Sequence, residues 1–167
     1  MSNLWKGIAL AAIGFVASFY SSVARADDAA VIEERQGFMK AQSKDLGAIK
    51  AFMEDKGDLA AAQTAGADLV TRIPKIPDFF PKGTDLDAYS GKSFAKPAIW
   101  TEHDKFLAAD KNALTAAEAL NAALKGGDKA AITTAFGNMT RDFWGTTSPN
   151  PGGCGGCHGT FTQKRPS

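Results

Sequence analysis

Two thiols and an imidazole stand within five residues near the C-terminus: Cys154-Gly155-Gly156-Cys157-His158. These are the only two cysteines in 167 residues, and His158 is one of two histidines. At this spacing each thiol can add across one vinyl group of a haem to make a thioether, while the adjacent imidazole reaches the iron. Three other chemistries use a C-x-x-C pair. A thioredoxin-like redox disulfide needs a βαβ setting, which the sequence does not offer. Half of a structural zinc site needs two further ligands, and His103 is the only other histidine that could serve. A plain disulfide over a tight loop leaves His158 without a task. Covalent haem c, one group per chain, uses all three residues.

The first residues bear on where that chemistry takes place. Met1–Lys6 carries one positive charge, Gly7–Tyr20 is an apolar run, and Ala24-Arg25-Ala26 resembles a small-residue cleavage site. Residues 1–26 therefore read as a signal peptide cut before Asp27, leaving Asp27–Ser167 as the mature domain. The apolar run is shorter than the ~20 residues of a spanning helix, so no membrane span is expected in the mature chain. Export to the periplasm suits covalent haem attachment. Loss of Lys6 and Arg25 leaves 17 basic against 18 acidic residues, a balance that gives no reason to expect nucleic-acid binding.

Helices must position the motif. The mature chain is rich in Ala, Lys, Asp and Leu and lacks strand-like alternation. A first helix is expected from about Asp28 to Lys56, with Ile32, Met39, Leu46 and Met53 recurring every seven residues and Gly57 as its stop. A second starts at Asp58 and ends before Pro74 and Pro77. A long connection, Pro74–Lys96, carries three prolines and the pair Phe79-Phe80. Pro97 suits the first turn of a third helix running to Leu124, with Trp100 on its apolar side. Gly126-Gly127 breaks it, and Asp128 caps a fourth helix bearing Ile132, Phe136, Met139 and Phe143. The expected fold is all-α: an antiparallel four-helix bundle with a C-terminal covalent haem c, facing the first and third helices.

The C-terminal position of the haem motif resembles the cytochrome c′ family, the class II cytochromes c. So do Glu34-Arg35-Gln36-Gly37-Phe38-Met39-Lys40, Phe79-Phe80-Pro81-Lys82-Gly83 and Lys96-Pro97-Ala98-Ile99-Trp100, in the family's order. The resemblance implies that Cys154 and Cys157 hold the haem and that His158 is the proximal iron ligand. It implies that Arg35 and Gln36 lie near the haem propionates. Met39 falls on the position facing the distal side of the iron, nearer the low-spin Met/His-ligated members than the five-coordinate ones. Many relatives form antiparallel dimers through the first two helices, so a homodimer is a further implication.

Taken alone, a methionine in a heptad stripe reads as a core residue. With a haem motif and the family position, Met39 reads as the sixth iron ligand. The function that follows is a periplasmic one-electron carrier with periplasmic redox partner proteins, not an enzyme. The alternative is a five-coordinate cytochrome c′ that binds or detoxifies nitric oxide or carbon monoxide. Two departures from the family stand out. Thr162 occupies the place of a basic residue, with Lys164 and Arg165 just beyond, and Gly145–Pro151 is inserted before the motif. The glycines around the cysteines have poor helix propensity and favour a loop for the motif, without deciding it. His103, among charged neighbours, reads as a surface residue.

Overall fold

The computed structural model describes residues 16–143 and 152–164, with side chains from Asp27 onward. Six α-helices account for most of it: α1 Val16–Met53, α2 Leu59–Arg72, α3 Ala98–Thr101, α4 His103–Gly126, α5 Lys129–Thr140 and α6 Gly153–Phe161. The long helices α1, α2, α4 and α5 make the expected four-helix bundle. An isolated bridge between Ala95 and Thr162 is the only strand-like pairing among the described residues. None of the described helices is long and apolar enough to cross a membrane.

α1 begins earlier than its acidic start suggested. Its 38 residues, ~57 Å of helix, run straight through the expected cleavage point between Ala26 and Asp27. No proline or glycine interrupts Val16–Ala26, so these residues continue the same helix. Residues 1–15 of the expected signal peptide lie outside the described residues. At the other end, Asp55 supplies the left-handed turn expected of Gly57, with φ 59°. Lys56 N–H donates to Ala51 O and Asp55 N–H to Phe52 O, a Schellman closure built on aspartate.

Asp58 caps α2 by accepting from Ala61 N–H at 2.8 Å. Pro74 and Pro77 then turn the chain into a 3-10 helix, Ile73–Phe79, rather than a free loop. The expected third helix is split at Glu102, whose backbone (φ −124°, ψ 43°) is not helical, so the short α3 precedes α4. α4 stops at Gly127, left-handed at φ 73°, and Asp128 caps α5 as expected.

α1 packs on α2, α2 on α4, and α4 on both α5 and α6. The buried core joins Ile49 of α1, Leu69 of α2, Leu120 and Leu124 of α4, and Ile132 of α5. Small residues bring α2 close to α4: a Cβ on Gly66 would stand 2.5 Å from Leu124 Cδ1. The chain between the 3-10 helix and α3 folds back over α1 and meets the end of α6. There Lys96 N–H donates to Phe161 O and Gln163 N–H to Phe94 O.

Candidate haem-binding site

The cysteines lie on a helix, which corrects the loop favoured by their glycine neighbours. α6 has no side-chain cap at its N-terminus, and glycine disfavours helix. Tertiary packing overrides that preference. A Cβ on Gly152 would stand 2.5 Å from Asn138 O, and one on Gly153 would stand 3.1 Å from Ala113 Cα and 2.9 Å from Ala116 Cβ. Only glycine lets α6 lie this close to α4 and α5. Helical spacing then turns Cys154, Cys157 and His158, at i, i+3 and i+4, onto one face.

That face lines an apolar cavity between α6 and α1. Cys154, Cys157 and His158 form one side, and Met39, Gln42, Ser43 and Leu46 of α1 form another. Leu69, Ile73, Phe80, Phe106, Met139 and Phe161 close it from within. The walls thus come from more helices than the expected first and third. Burial pushes the Cys154 thiol up to about 11 and, with the nearby charges of Asp110 and Cys154, the Cys157 thiol up to about 12. It also pushes the His158 imidazolium down to about 4, so the ring is neutral at pH 7 and its lone pair can bind a metal. The Phe143 ring meets the imidazole edge-on, with centroids 4.3 Å apart.

The mouth of the cavity adds polar side chains to a mostly apolar rim. Arg35, Gln36, Lys40 and Gln163 line it beside Met39 and His158. Arg35 is buried, and its two terminal nitrogens are engaged with the connection that folds over α1. Its guanidinium donates to Phe79 O, Thr84 Oγ1, Thr84 O and Ser93 Oγ, and lies 4.6 Å from the Phe80 ring centroid. Burial lowers it to about 10, so it stays a cation at pH 7. None of the ion pairs among the described residues involves Arg35. Gln36 Nε2 donates to Lys92 O at 2.6 Å. The mouth therefore holds a buried positive charge that an anionic group would compensate.

These features fit a haem c: two thiols at thioether spacing, a neutral imidazole, a thioether sulfur on the facing helix, apolar walls and a cation at the rim. The structure brings Met39, Cys154, Cys157 and His158 to one cavity, and Arg35 and Gln36 to an adjoining pocket that shares Met39 and His158 with it. It leaves His103 aside, exposed, with Nδ1 3.3 Å from Ile99 O. Trp100 braces the wall from behind, its indole N–H donating to Phe80 O at 3.0 Å. Two residues escaped the sequence reading. Gln42 faces the cavity one turn beyond Met39, and Asp110 is buried on α4 with Oδ1 lacking any hydrogen-bond partner. Asp110 shares the buried stripe of Phe106, Ala113, Ala117, Leu120 and Leu124, so a carboxylate in an apolar stripe was the available signal.

The fold and site define a helical-bundle protein built to hold a covalent haem. A family model for cytochrome c′ matches residues 30–162. Cytochrome c-556 of Agrobacterium fabrum is 32% identical over 136 residues, covering 80% of this chain and 82% of its own. Cytochrome c′ of Rhodospirillum rubrum is 34% identical over 139 residues, covering 81% and 84%. The solved cytochrome c′ from "Rhodobacter Spheriodes" superposes with a TM-score of 0.69 at 29% identity, over 83% of this chain and 98% of that one. The chain belongs to the cytochrome c′ family. Family members carry covalently bound haem c with its iron, and Cys154 and Cys157 fit its attachment motif.

Proposed function

We propose that this c-type cytochrome is an exported one-electron carrier whose iron is held by His158 and Met39. The observation that carries the reading is that Met39 and His158, on separate helices, line one cavity together with both cysteines. Cys154 and Cys157 would hold the haem by thioether bonds, and His158 and Met39 would supply the axial donors. The haem supplies the one-electron couple of its iron. A thioether donor favours the ferrous state and raises the potential relative to two imidazoles. Arg35 and Gln36 would meet the propionates at the mouth, and the apolar walls keep water from the metal. The expected cleavage before Asp27 and periplasmic location rest on the charge, apolar run and Ala-x-Ala pattern of residues 1–26.

A visible spectrum of the purified protein tests this. The expected result is a low-spin ferric spectrum with a thioether-to-iron charge-transfer band, unchanged by carbon monoxide in the ferrous form. Met39→Ala is expected to turn high-spin and to bind carbon monoxide. A parent protein that is already high-spin and takes up carbon monoxide would instead make Met39 a packing residue over a five-coordinate iron.

A further inference from the structure

We propose that Gln42 is a positioning residue for the sixth iron ligand, its side-chain amide donating to the Met39 sulfur and so setting how strongly that sulfur binds. This rests on the reading of Met39 as a ligand. Gln42 stands three residues after Met39 on α1, half-buried, and lines the same cavity. Its Nε2 lies 3.5 Å from Met39 Sδ. Ser43, the other polar α1 residue on this wall, donates its hydroxyl to Met39 O instead, leaving Gln42 as the donor aimed at the sulfur.

A thioether sulfur carries two lone pairs, so one can accept from an amide while the other binds a metal. Met39 turns about three side-chain bonds, and a fixed donor narrows the directions its sulfur samples. The amide also draws electron density from the sulfur. A poorer sulfur donor stabilises the ferric state less than the ferrous one, so the hydrogen bond raises the reduction potential. Hydrogen bonds to the sulfur ligands of iron–sulfur and copper sites tune potentials in the same way.

The test measures reduction potential and charge-transfer band in the holoprotein, for Gln42→Leu and Gln42→Glu, each in the parent and in a Met39→Ala background. Gln42→Leu keeps helix propensity and bulk, and is expected to leave the protein low-spin. It should shift the ferric–ferrous equilibrium up to tenfold toward ferric, a fall of up to about 59 mV for one electron, and move the charge-transfer band. Gln42→Glu, which replaces the donor by an acceptor, should lower the potential further. In the Met39→Ala background Gln42→Leu should shift nothing. Potentials unchanged in both Gln42 variants, with Met39→Ala converting the spin state, would overturn the Gln42 role alone. Equal shifts with and without Met39 would also overturn it, because the amide would then act on general polarity. A Met39→Ala protein that stays low-spin would remove both the ligand and its positioning residue.

Discussion

Asp110 is destabilising at neutral pH. Its carboxyl sits in the α4 stripe beside α6, with one oxygen unpartnered, and burial pushes it up to about 6 from an ordinary 3.8. An acid whose folded value is raised binds more protons folded than unfolded between those limits. Stability therefore falls as pH rises from about 4 to about 6, and the full penalty persists above. Asp110→Asn should be more stable than the parent at pH 7.5, by roughly 1–2 kcal/mol. At pH 3.5 the two should match, as paired urea melts would show. At this scale the sequence was uneven in what it disclosed. Cys154, Cys157 and His158 announce themselves because their chemistry demands fixed spacing. Arg35 came only through resemblance, and its partners Thr84 and Ser93 lie 49 and 58 residues away, beyond any local pattern. Gln42 showed nothing, since a glutamine on a helix is ordinary until the sulfur beside it acquires a role.

The element that decides the site is α6. Glycine propensity argues against a helix there, and close docking on α4 and α5 supplies what propensity lacks. Two glycines separate these effects. Gly153→Ala forces a methyl to 2.9 Å from Ala116 Cβ and 3.1 Å from Ala113 Cα. It should cost about 1–3 kcal/mol in thermal unfolding and lower the haem content per chain. Gly156 has nothing within 4 Å of its would-be Cβ and does not line the cavity. Gly156→Ala should stabilise by about 0.5–1 kcal/mol in the same measurement. Local rules did place the caps at Asp58 and Asp128 and the breaks at Gly127 and Pro74. They missed the split at Glu102 and the stop at Asp55. Both are set by backbone torsions that several residue types can adopt, so no letter in the sequence marks them.

Over the whole molecule, the bundle was legible because four amphipathic stripes of ordinary length have few ways to hide their apolar faces. The cavity was not, because it is what those faces leave uncovered between α1 and α6. Its walls are core residues such as Leu69, Phe106 and Met139, which in a bundle without a cofactor would meet one another. Replacing both cysteines by serine, so that no haem is attached, should therefore leave most of the helical circular dichroism. It should lower the melting temperature by roughly 5–15 °C, about 2–4 °C for each kcal/mol of lost packing. Retention of the parent melting temperature would mean that the walls close without the haem.

The inward-facing thiols also bear on the order in which the protein is made. With α6 seated, Cys154 and Cys157 are turned into an apolar cavity and held protonated far above pH 7, at about 11 and 12. Such thiols are slow nucleophiles, and both are half-buried with α6 in place. A chain that closes first has made its own thiols less reactive. Thioether formation is then favoured while α6 is still undocked, and seating α6 against its glycine contacts becomes the step that follows attachment and locks it in place.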